Sequence, residues 1–179
     1  MQLLLDEIEI VPFDFEHIPE KVRWYNDEEI SRYLHYEEKF TIEDTKKWLE
    51  NVKNDKTRYE NVIKVLVDGK YVDIGIIGLF NIDIKNKKAG FYITIGEKQY
   101  QGKGLAKKST LKFLKKVFIK FNLEKIFLYT DFENEKAIRL YEKCGFKLEG
   151  KLRKELFYKN KFIDRYYYAI FREDILGEN

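Results

Sequence analysis

The sequence predicts an α+β fold in which helices flank a mixed, mostly antiparallel, twisted sheet. Apolar residues recur at helical spacing through the first third of the chain and alternate with polar residues from about residue 59 onward. Asp68-Gly69 separates two of the alternating runs and is a strong hairpin signal. One helical stretch precedes the apolar run 125–131 and another follows it, so crossovers join part of the sheet. The resulting order is β-α-α-α-β-β-β-α-β-α-β-β.

Composition narrows the class of protein. The chain has 179 residues, of which 44% are hydrophobic, enough for one domain over residues 1–179 with a sizeable core. Its 34 basic and 31 acidic residues give a net charge of +3, which does not indicate a nucleic-acid partner. The single cysteine, Cys144, excludes an internal disulfide and zinc-finger spacing. No signal peptide and no run of roughly 18 apolar residues is seen, so we expect a cytoplasmic protein without a membrane partner.

Capping signals mark the predicted helices of the first third. The helical pattern of residues 20–33 is interrupted at Asn26-Asp27, a pair that can end one short helix and cap the next. Thr41, with Asp44 three residues later, matches a capping box and predicts a further helix start. The other predicted segments are strands at 2–11, 60–67, 72–84, 89–96, 125–131, 146–158 and 162–171, a loop at 34–40, and helices at 42–54, 105–121 and 134–143.

A glycine-rich turn, Gly102-Lys103-Gly104, joins the strand at 89–96 to the long helix. A helix start has unpaired N–H groups and the positive end of the helix dipole, which together attract anions, typically phosphate. The turn is not a P-loop, and Lys107 stands where a dinucleotide fingerprint has its third glycine. From these residues alone, both an anion site and an ordinary strand-to-helix turn remain open. The lysines along the helix can be explained in two ways: they bind a polyanionic ligand, or they form a solvent-exposed helix face.

The second informative stretch runs from Asn134 to Phe146. In a helix, Ala137 and Tyr141 lie four residues apart on one face. The hydroxyl of Tyr141 would then stand near the carboxyl ends of the neighbouring strands, where ligands of α/β sheets bind. A core aromatic residue is the alternative interpretation of Tyr141, and Cys144 is expected to be a core residue rather than a nucleophile.

Taken together, the two stretches resemble the GNAT superfamily of N-acetyltransferases. The acetyl-CoA signature of that family, Gln/Arg-x-x-Gly-x-Gly/Ala, is matched by residues 99–104. The later stretch, Asn-x-x-Ala-x-x-x-Tyr-x-x-x-Gly-Phe, begins at Asn134 and resembles the same family. The order of strands and helices also agrees, so the resemblance covers nearly the whole chain.

The resemblance implies the GNAT fold, with the sheet splayed between the strands at 89–96 and 125–131. It divides the chain into acceptor-side helices at about 16–54 and an acetyl-CoA core at about 59–172. The implied activity is transfer of an acetyl group from acetyl-CoA to a primary amine by direct attack. Acetyl-CoA would be the co-substrate, and no metal is expected.

The resemblance also implies roles for individual residues. Backbone N–H groups of the glycine turn bind the pyrophosphate of coenzyme A, and the preceding strand pairs with its pantetheine arm. An N–H group of that strand polarises the acetyl carbonyl. Tyr141 matches the general acid that protonates the leaving thiolate. The cofactor-binding residues implied are Ile93, Thr94, Ile95, Gln101, Gly102, Lys103, Gly104, Leu105, Ala106, Lys107, Asn134, Lys136 and Ala137.

The amine acceptor is expected on the side of the N-terminal helices. An amine with a pKa of about 10.4, like that of lysine, needs a carboxylate or a water chain to remove its proton. Glu37 and Glu38 lie in the predicted loop, where they can attract a cationic amine, and Glu38 is the candidate catalytic base. Exposed loop acids explain both residues equally well. Tyr36 and Tyr92 are further substrate-binding candidates, and His35 is a weaker candidate base.

Residues 24–40 resemble the branch that holds spermidine, ribosomal-protein N-terminal and amino-sugar acetyltransferases. The expected acceptor is therefore a polyamine, an amino sugar or a protein N-terminus. The alternative is a non-catalytic acyl-CoA-binding or regulatory module of the same fold, which would not need Tyr141 as an acid. Many relatives dimerise, and the tyrosines at 166–168 suit either a homodimer interface or core packing.

Overall fold

A computed structural model describes residues 3–177 and contains a seven-stranded sheet in the order β1-β2-β3-β4-β5-β7-β6. The strands are Leu3–Pro12 (β1), Tyr59–Val67 (β2), Lys70–Asp83 (β3), Lys88–Ile95 (β4), Lys125–Asp131 (β5), Lys147–Tyr158 (β6) and Lys161–Phe171 (β7). The helices are Ile18–Tyr25 (α1), Glu28–Ser31 (α2), Ile42–Val52 (α3), Leu105–Lys120 (α4), Glu135–Lys143 (α5) and Arg172–Leu176 (α6). Within the described residues, no helix is long and apolar enough to cross a membrane.

The sheet is mixed because one pair of neighbouring strands is parallel. β4 and β5 run parallel, and every other neighbouring pair is antiparallel, as predicted. The parallel pairing joins Lys88 to Lys125, Ala89 to Ile126 and Gly90 to Phe127. Beyond Gly90 the two strands diverge, so that in the described chain the rest of β4 pairs with β3 only. The predicted splay is therefore confirmed.

Two of the helices have side-chain caps at their N-termini, as the sequence predicts. The carboxylate of Asp27 accepts hydrogen bonds from the N–H groups of Glu29 and Ile30 at the start of α2. The hydroxyl of Thr41 accepts from the N–H of Asp44 at 3.0 Å and starts α3. The sequence does not predict α6, because its five residues are too few to show helical periodicity.

Each face of the sheet buries its own hydrophobic cluster. Successive side chains of a strand point to opposite faces, so the fully buried neighbours Ile76 and Ile77 belong to different clusters. One cluster includes Phe113 and Phe118 of α4. The other surrounds Trp24 of α1 and includes a residue of α3. The sheet is thus covered by α4 on one face and by the N-terminal helices on the other.

The tyrosines at 166–168 lie on an inner strand, because β7 runs between β5 and β6. Tyr168 is buried, and its hydroxyl donates to Glu142 Oε1 at 3.0 Å. The ring of Tyr167 stacks on Phe127, with 5.4 Å between the centroids. Packing within the domain therefore accounts for Tyr167 and Tyr168.

Trp24 attaches α1 to the end of β4. Its indole Nε1 donates to Glu97 Oε1 at 2.9 Å. The indole also packs directly on Gly96, where an added Cβ would lie 2.1 Å from Trp24 Cδ2. A glycine is needed at this position because the ring lies so close to the backbone.

We predict that Gly96→Ala destabilises the protein by about 1–3 kcal/mol, since the added methyl group must displace the buried indole. Gly150→Ala is the matched control, because a Cβ there meets no atom within 4 Å. The control should change the free energy of unfolding by less than about 0.5 kcal/mol. Urea unfolding measures both, and an equal loss in the two variants would contradict the packing argument.

Candidate functional site

The separation of β4 from β5 opens a cleft of about 2290 Å³. Its walls come from the start of α4, from α5, from the free end of β4 and from the N-terminal segment between α1 and α3. The cleft thus lies beyond the point at which the two parallel strands part, toward their carboxyl ends. Ligands of sheets with parallel strands bind at such places.

The turn before α4 brings unpaired backbone groups to the cleft. Gly102 and Gly104 have φ values of 73° and 77°, in the left-handed region that favours glycine. Gly104 is the N-cap of α4 and supplies no side-chain hydrogen bond to the first turn. Leu105, Ala106 and Lys107 line the cleft with the two glycines. The first N–H groups of α4 and the positive end of its dipole are therefore available to an anion.

Basic side chains outnumber acidic ones at the same end of the cleft, which Glu133 and Glu135 also line. Lys107 of α4 lines it together with Lys136, Arg139 and Lys143 of α5. Clustered positive charge raises the local concentration of an anionic ligand. The backbone and side chains at this end consequently fit the diphosphate of a cofactor such as coenzyme A.

The free end of β4 offers an extended backbone edge to the cleft. Residues Ile93 to Ile95 pair with β3 on one side, and no strand of the described chain covers their other side. The side-chain Nε2 of Gln101 donates to the carbonyl oxygen of Ile95 at 2.9 Å, so this carbonyl already has a partner. The remaining groups of the edge suit an extended ligand that contains amides and can bind as an added strand.

Tyr141 lines the cleft from α5 and is only 7% exposed. Its ring lies edge-on to Phe146, with centroids 5.8 Å apart, and to Phe91 at 6.4 Å. Burial raises the pKa of Tyr141 well above its usual value of 10.0. Within the described residues, its hydroxyl has no hydrogen-bond partner. The group is thus a protonated, unengaged donor at the edge of the cleft.

Asn134 sets the start of the helix that carries Tyr141. Its side-chain Oδ1 accepts a hydrogen bond from the N–H of Ala137 at 3.2 Å. This contact caps α5 and leaves the side-chain nitrogen of Asn134 available to another acceptor. Asn134 therefore has a structural role in addition to any contact with a ligand.

The structure brings together nearly all of the predicted site residues. One predicted residue, Lys103, does not line the cleft; it is exposed, and its ammonium lies 5.5 Å from the ring centroid of Tyr100. The predicted residues that line the cleft are Tyr36, Glu37, Glu38, Tyr92, Ile93, Thr94, Ile95, Gln101, Gly102, Gly104, Leu105, Ala106, Lys107, Asn134, Lys136, Ala137 and Tyr141.

The part of the cleft contributed by the N-terminal segment contains acidic and aromatic side chains, together with the basic Lys21, Arg32 and Lys39. Glu37 and Glu38 are exposed and line the cleft beside Tyr36. The ring of Tyr36 stacks on Tyr25 at 5.8 Å and meets Phe40 edge-on at 4.8 Å. Carboxylates attract cations, and so do the faces of aromatic rings. The acidic and aromatic groups of this part therefore suit a cationic ligand.

The sequence interpretation missed a buried carboxylate, Glu60, in the wall of the cleft. Its Oε1 accepts from Arg58 Nε at 2.9 Å, and its Oε2 accepts from the hydroxyl of Tyr92. Burial raises the pKa of Glu60, although the charge of Arg58 opposes this effect. A sequence signal existed, because Glu60 shares a strand face with the core residue Val62. A charged residue at an inward-facing strand position indicates a special role.

The sequence interpretation also missed a second charged cluster, which joins the loop at 34–40 to the end of β5. The Nε2 atom of His35 hydrogen-bonds Asp131 Oδ2, and Arg165 Nε lies 3.3 Å from Asp131 Oδ1. Tyr158 packs edge-on against the His35 ring, with centroids 4.9 Å apart. His35 is thus not an isolated loop histidine, because it has a buried acidic partner 96 residues away that holds the loop against β5.

Cys144 lies in the hydrophobic cluster beneath α4 and α5. Burial raises the pKa of its thiol to about 11, so the thiolate needed for nucleophilic attack is scarce at neutral pH. This agrees with the expected core role. Among the described residues, no group of three or more His, Cys, Asp and Glu side chains is arranged to hold a metal ion.

A comparison with protein families identifies the class to which this fold and cleft correspond. The model of a family described as acetyltransferase (GNAT) domain matches residues 7–147. Because the match covers well over half of the chain, the chain belongs to the acetyltransferase (GNAT) domain family. The resemblance predicted from the two motifs is therefore confirmed, together with the GNAT fold.

Individual relatives include acetyltransferases of bacteria. Spermidine N(1)-acetyltransferase of Escherichia coli (strain K12) is 37% identical over 105 residues, which cover 59% of this chain. The match spans only 56% of the length of that relative. The SPbeta prophage-derived uncharacterized N-acetyltransferase YokL of Bacillus subtilis (strain 168) is 32% identical over 130 residues, covering 72% of this chain and 70% of the relative.

A solved structure extends the likeness over almost the full chain. The crystal structure of spermidine N-acetyltransferase from Vibrio cholerae in complex with CoA and spermine has a TM-score of 0.88 and 26% sequence identity. The superposition covers 96% of this chain and 99% of that chain. A further structure of the Vibrio cholerae protein, in an intermediate state, is dodecameric.

Proposed function

We propose that this protein is an acetyl-CoA-dependent N-acetyltransferase that acts on a primary amine. The observation that carries the proposal is the convergence of three features on one cleft: the uncapped start of α4, the free edge of β4 and the protonated hydroxyl of Tyr141. These are the groups needed to bind a diphosphate, to bind an extended acyl carrier and to donate a proton. Membership of the acetyltransferase (GNAT) domain family supports the same reaction.

The proposal assigns the donor end of the cleft to acetyl-CoA, which would supply the acetyl thioester. The N–H groups of residues Gln101 to Lys107 bind the diphosphate, assisted by the charge of Lys136. The edge from Ile93 to Ile95 binds the extended arm, and one of its N–H groups polarises the acetyl carbonyl. Asn134 donates from its free side-chain nitrogen, next to Ala137 on the same face of the cleft. These contacts orient the donor, which is the main catalytic contribution in a direct attack.

Tyr141 is proposed as the general acid. Because burial raises its pKa, the hydroxyl remains protonated at neutral pH and can donate a hydrogen bond toward a leaving sulfur. A high pKa by itself disfavours complete proton transfer. The same dry surroundings also raise the pKa of a thiol beside the tyrosine, so the difference between the two groups is smaller than their values in water suggest.

We propose a polyamine as the acceptor, with amino sugars and protein N-termini as the other candidates. The exposed carboxylates of Glu37 and Glu38 attract a cationic amine to the cleft, and Glu38 is a candidate base there. Tyr36 and Tyr92 provide aromatic surface for the methylene chain and its ammonium groups. Relatives that act on spermidine and a neighbour that binds spermine support this choice.

The proposal also covers the organisation of the chain. Residues 1–179 would form one N-acetyltransferase domain, in which the helices at 16–54 build the acceptor side and residues 59–172 the donor side. We place the protein in the cytoplasm, without nucleic-acid or membrane partners. We also propose that it associates with itself, as a homodimer or a larger assembly, because a structural neighbour is dodecameric.

Thiol release from acetyl-CoA tests the function. Spermidine, spermine, an amino sugar and a short peptide with a free N-terminus should be compared as acceptors. We expect kcat/KM to be highest for the polyamines by at least about tenfold, equivalent to about 1.4 kcal/mol. If acetyl-CoA binds but no amine stimulates thiol release, the protein is instead a non-catalytic acyl-CoA-binding module.

The second prediction concerns the general acid. Tyr141→Phe should lower kcat by about 10²-fold or more while leaving the affinity for acetyl-CoA unchanged, because only the proton donor is removed. Tyr168→Phe is the matched control, since it removes a buried hydroxyl bonded to Glu142 outside the cleft. Steady-state kinetics and calorimetry measure the two effects. Equal kcat values for Tyr141→Phe and the unchanged protein would refute the assigned role.

The third prediction concerns the glycine turn. Gly102→Asp should weaken coenzyme A binding by at least about tenfold, because the new carboxylate repels a diphosphate and a side chain is strained at this φ. Gly150→Asp introduces the same charge on β6, where a Cβ meets no atom within 4 Å, and should retain full affinity. Isothermal titration calorimetry measures both variants. Undiminished affinity in Gly102→Asp would show that the diphosphate binds elsewhere.

A further inference from the structure

Glu60 is a buried carboxylate, and one of its two oxygens accepts a hydrogen bond from a single hydroxyl group. Its side chain is 4% exposed, and burying a carboxylate is strongly unfavourable unless the group is paired and hydrogen-bonded. Arg58 pairs with Oε1, through Nε at 2.9 Å and Nη2 at 2.8 Å. This ion pair explains how the charge is tolerated, and it leaves Oε2 to a different partner.

Tyr92 is the partner of Oε2, and a glycine in the intervening strand allows its hydroxyl to reach Glu60. β3 lies between the two residues: Glu60 pairs with Gly78 in the register of β2 and β3, and Gly78 pairs with Tyr92 in that of β3 and β4. A Cβ at Gly78 would lie 2.7 Å from Tyr92 Oη. The hydroxyl crosses β3 to donate to Glu60 Oε2 because this position lacks a side chain.

The same hydroxyl lies on the acceptor side of the proposed reaction centre. Tyr92 directly precedes Ile93 on β4, the edge proposed to hold the acetyl group. The two side chains point to opposite faces, Tyr92 toward the N-terminal helices and Ile93 toward the cluster beneath α4. Both Tyr92 and Glu60 line the cleft. The ring of Tyr92 and the carboxylate of Glu60 therefore lie on the face of the sheet from which an amine held by the N-terminal segment would approach the edge of β4.

We propose that Tyr92 and Glu60 form a buried proton path that deprotonates the acceptor amine, an inference that rests on the proposed function. An N–H bond of the ammonium breaks as its proton moves to Tyr92 Oη, while the O–H bond of Tyr92 breaks as that proton moves to Glu60 Oε2. The nitrogen keeps the electron pair of the broken bond for its attack. Glu60 becomes a neutral carboxylic acid and later releases the proton to solvent. Tyr92 is the catalytic residue, and Glu60 is a positioning residue that acts through it.

The groups around Glu60 favour this role over the exposed Glu38. Burial raises the pKa of Glu60, which makes its carboxylate a stronger base, while the charges of Arg58 and Lys21 limit that rise. Lys21 lies 3.2 Å from the ring centroid of Trp48, and burial lowers its pKa to about 7. The titratable and charged groups that face Glu60 are Asp55, Arg58, Lys21, Tyr25, Tyr36 and Tyr92.

The pH dependence of kcat with saturating acetyl-CoA and spermidine tests the path. In the unchanged protein, kcat should fall as the pH is lowered through the pKa of Glu60, which lies above 4.5, because the protonated acid accepts no proton. Glu60→Gln should lower kcat at neutral pH by about 10²-fold and lose this acid limb. Tyr92→Phe should show a similar loss while keeping the ion pair with Arg58, and KM for spermidine should change less than about threefold in both.

Asp73→Asn is the matched control for loss of a partly buried, paired carboxylate. Asp73 pairs with His17 at 2.7 Å and with Lys64 at 3.1 Å, and it does not line the cleft. This variant should retain both kcat and the acid limb. Circular dichroism and coenzyme A binding establish that each variant is folded. If Glu60→Gln does not fold, the kinetics of Tyr92→Phe alone test the proton path.

The outcomes separate the path from the function on which it rests. If Tyr92→Phe retains the kcat and the acid limb of the unchanged protein, the path is overturned while the acetyltransferase function stands. If Glu38→Gln loses the acid limb and Glu60→Gln keeps it, the proton leaves through the exposed loop and the path is equally overturned. If the unchanged protein releases no thiol with any amine, the proposed function fails, and the path fails with it.

Discussion

The separation of β4 from β5 after three residue pairs is the constraint on which the rest of the site depends. Parallel neighbours require a crossover connection, and here α4 forms it. Because the strands diverge before α4 begins, its first turn opens onto the gap, and beyond Gly90 this edge of β4 has no strand partner among residues 3–177. Unpaired backbone groups in a protein interior are unfavourable. They are tolerable here because the gap is an open cleft that can hold a ligand with amide groups.

β4 also sets the relative positions of the two substrates in the proposed reaction. Its side chains alternate between the face covered by α4 and the face covered by the N-terminal helices. Ile93 therefore belongs to the donor side and Tyr92 to the acceptor side, although they are neighbours in sequence. A single strand thus sets the distance between the two sides. Orientation obtained from a rigid element in this way is more reproducible than orientation by loops.

Charged groups of both signs line the cleft. Basic groups of α4 and α5 lie at one end, and the exposed acids of the loop at 34–40 lie in the N-terminal part. Two buried clusters, Glu60 with Arg58 and Asp131 with His35, fix strand and loop positions around it. Burying these charges is costly, so they add little net stability. Their contribution is to specify one arrangement of the N-terminal segment over the sheet.

The sequence by itself determined the features that depend on neighbours within one turn or one strand. These are the caps at Asp27 and Thr41, the glycine-rich turn before α4 and the alternation that marks the strands. Family motifs added Tyr141, which the structure places in the cleft. Only the tertiary structure joined Tyr92 to Glu60 and His35 to Asp131, and only it left Lys103 outside the cleft. Those contacts depend on strand register and on close approach between segments distant in sequence, and no local pattern of residues encodes either.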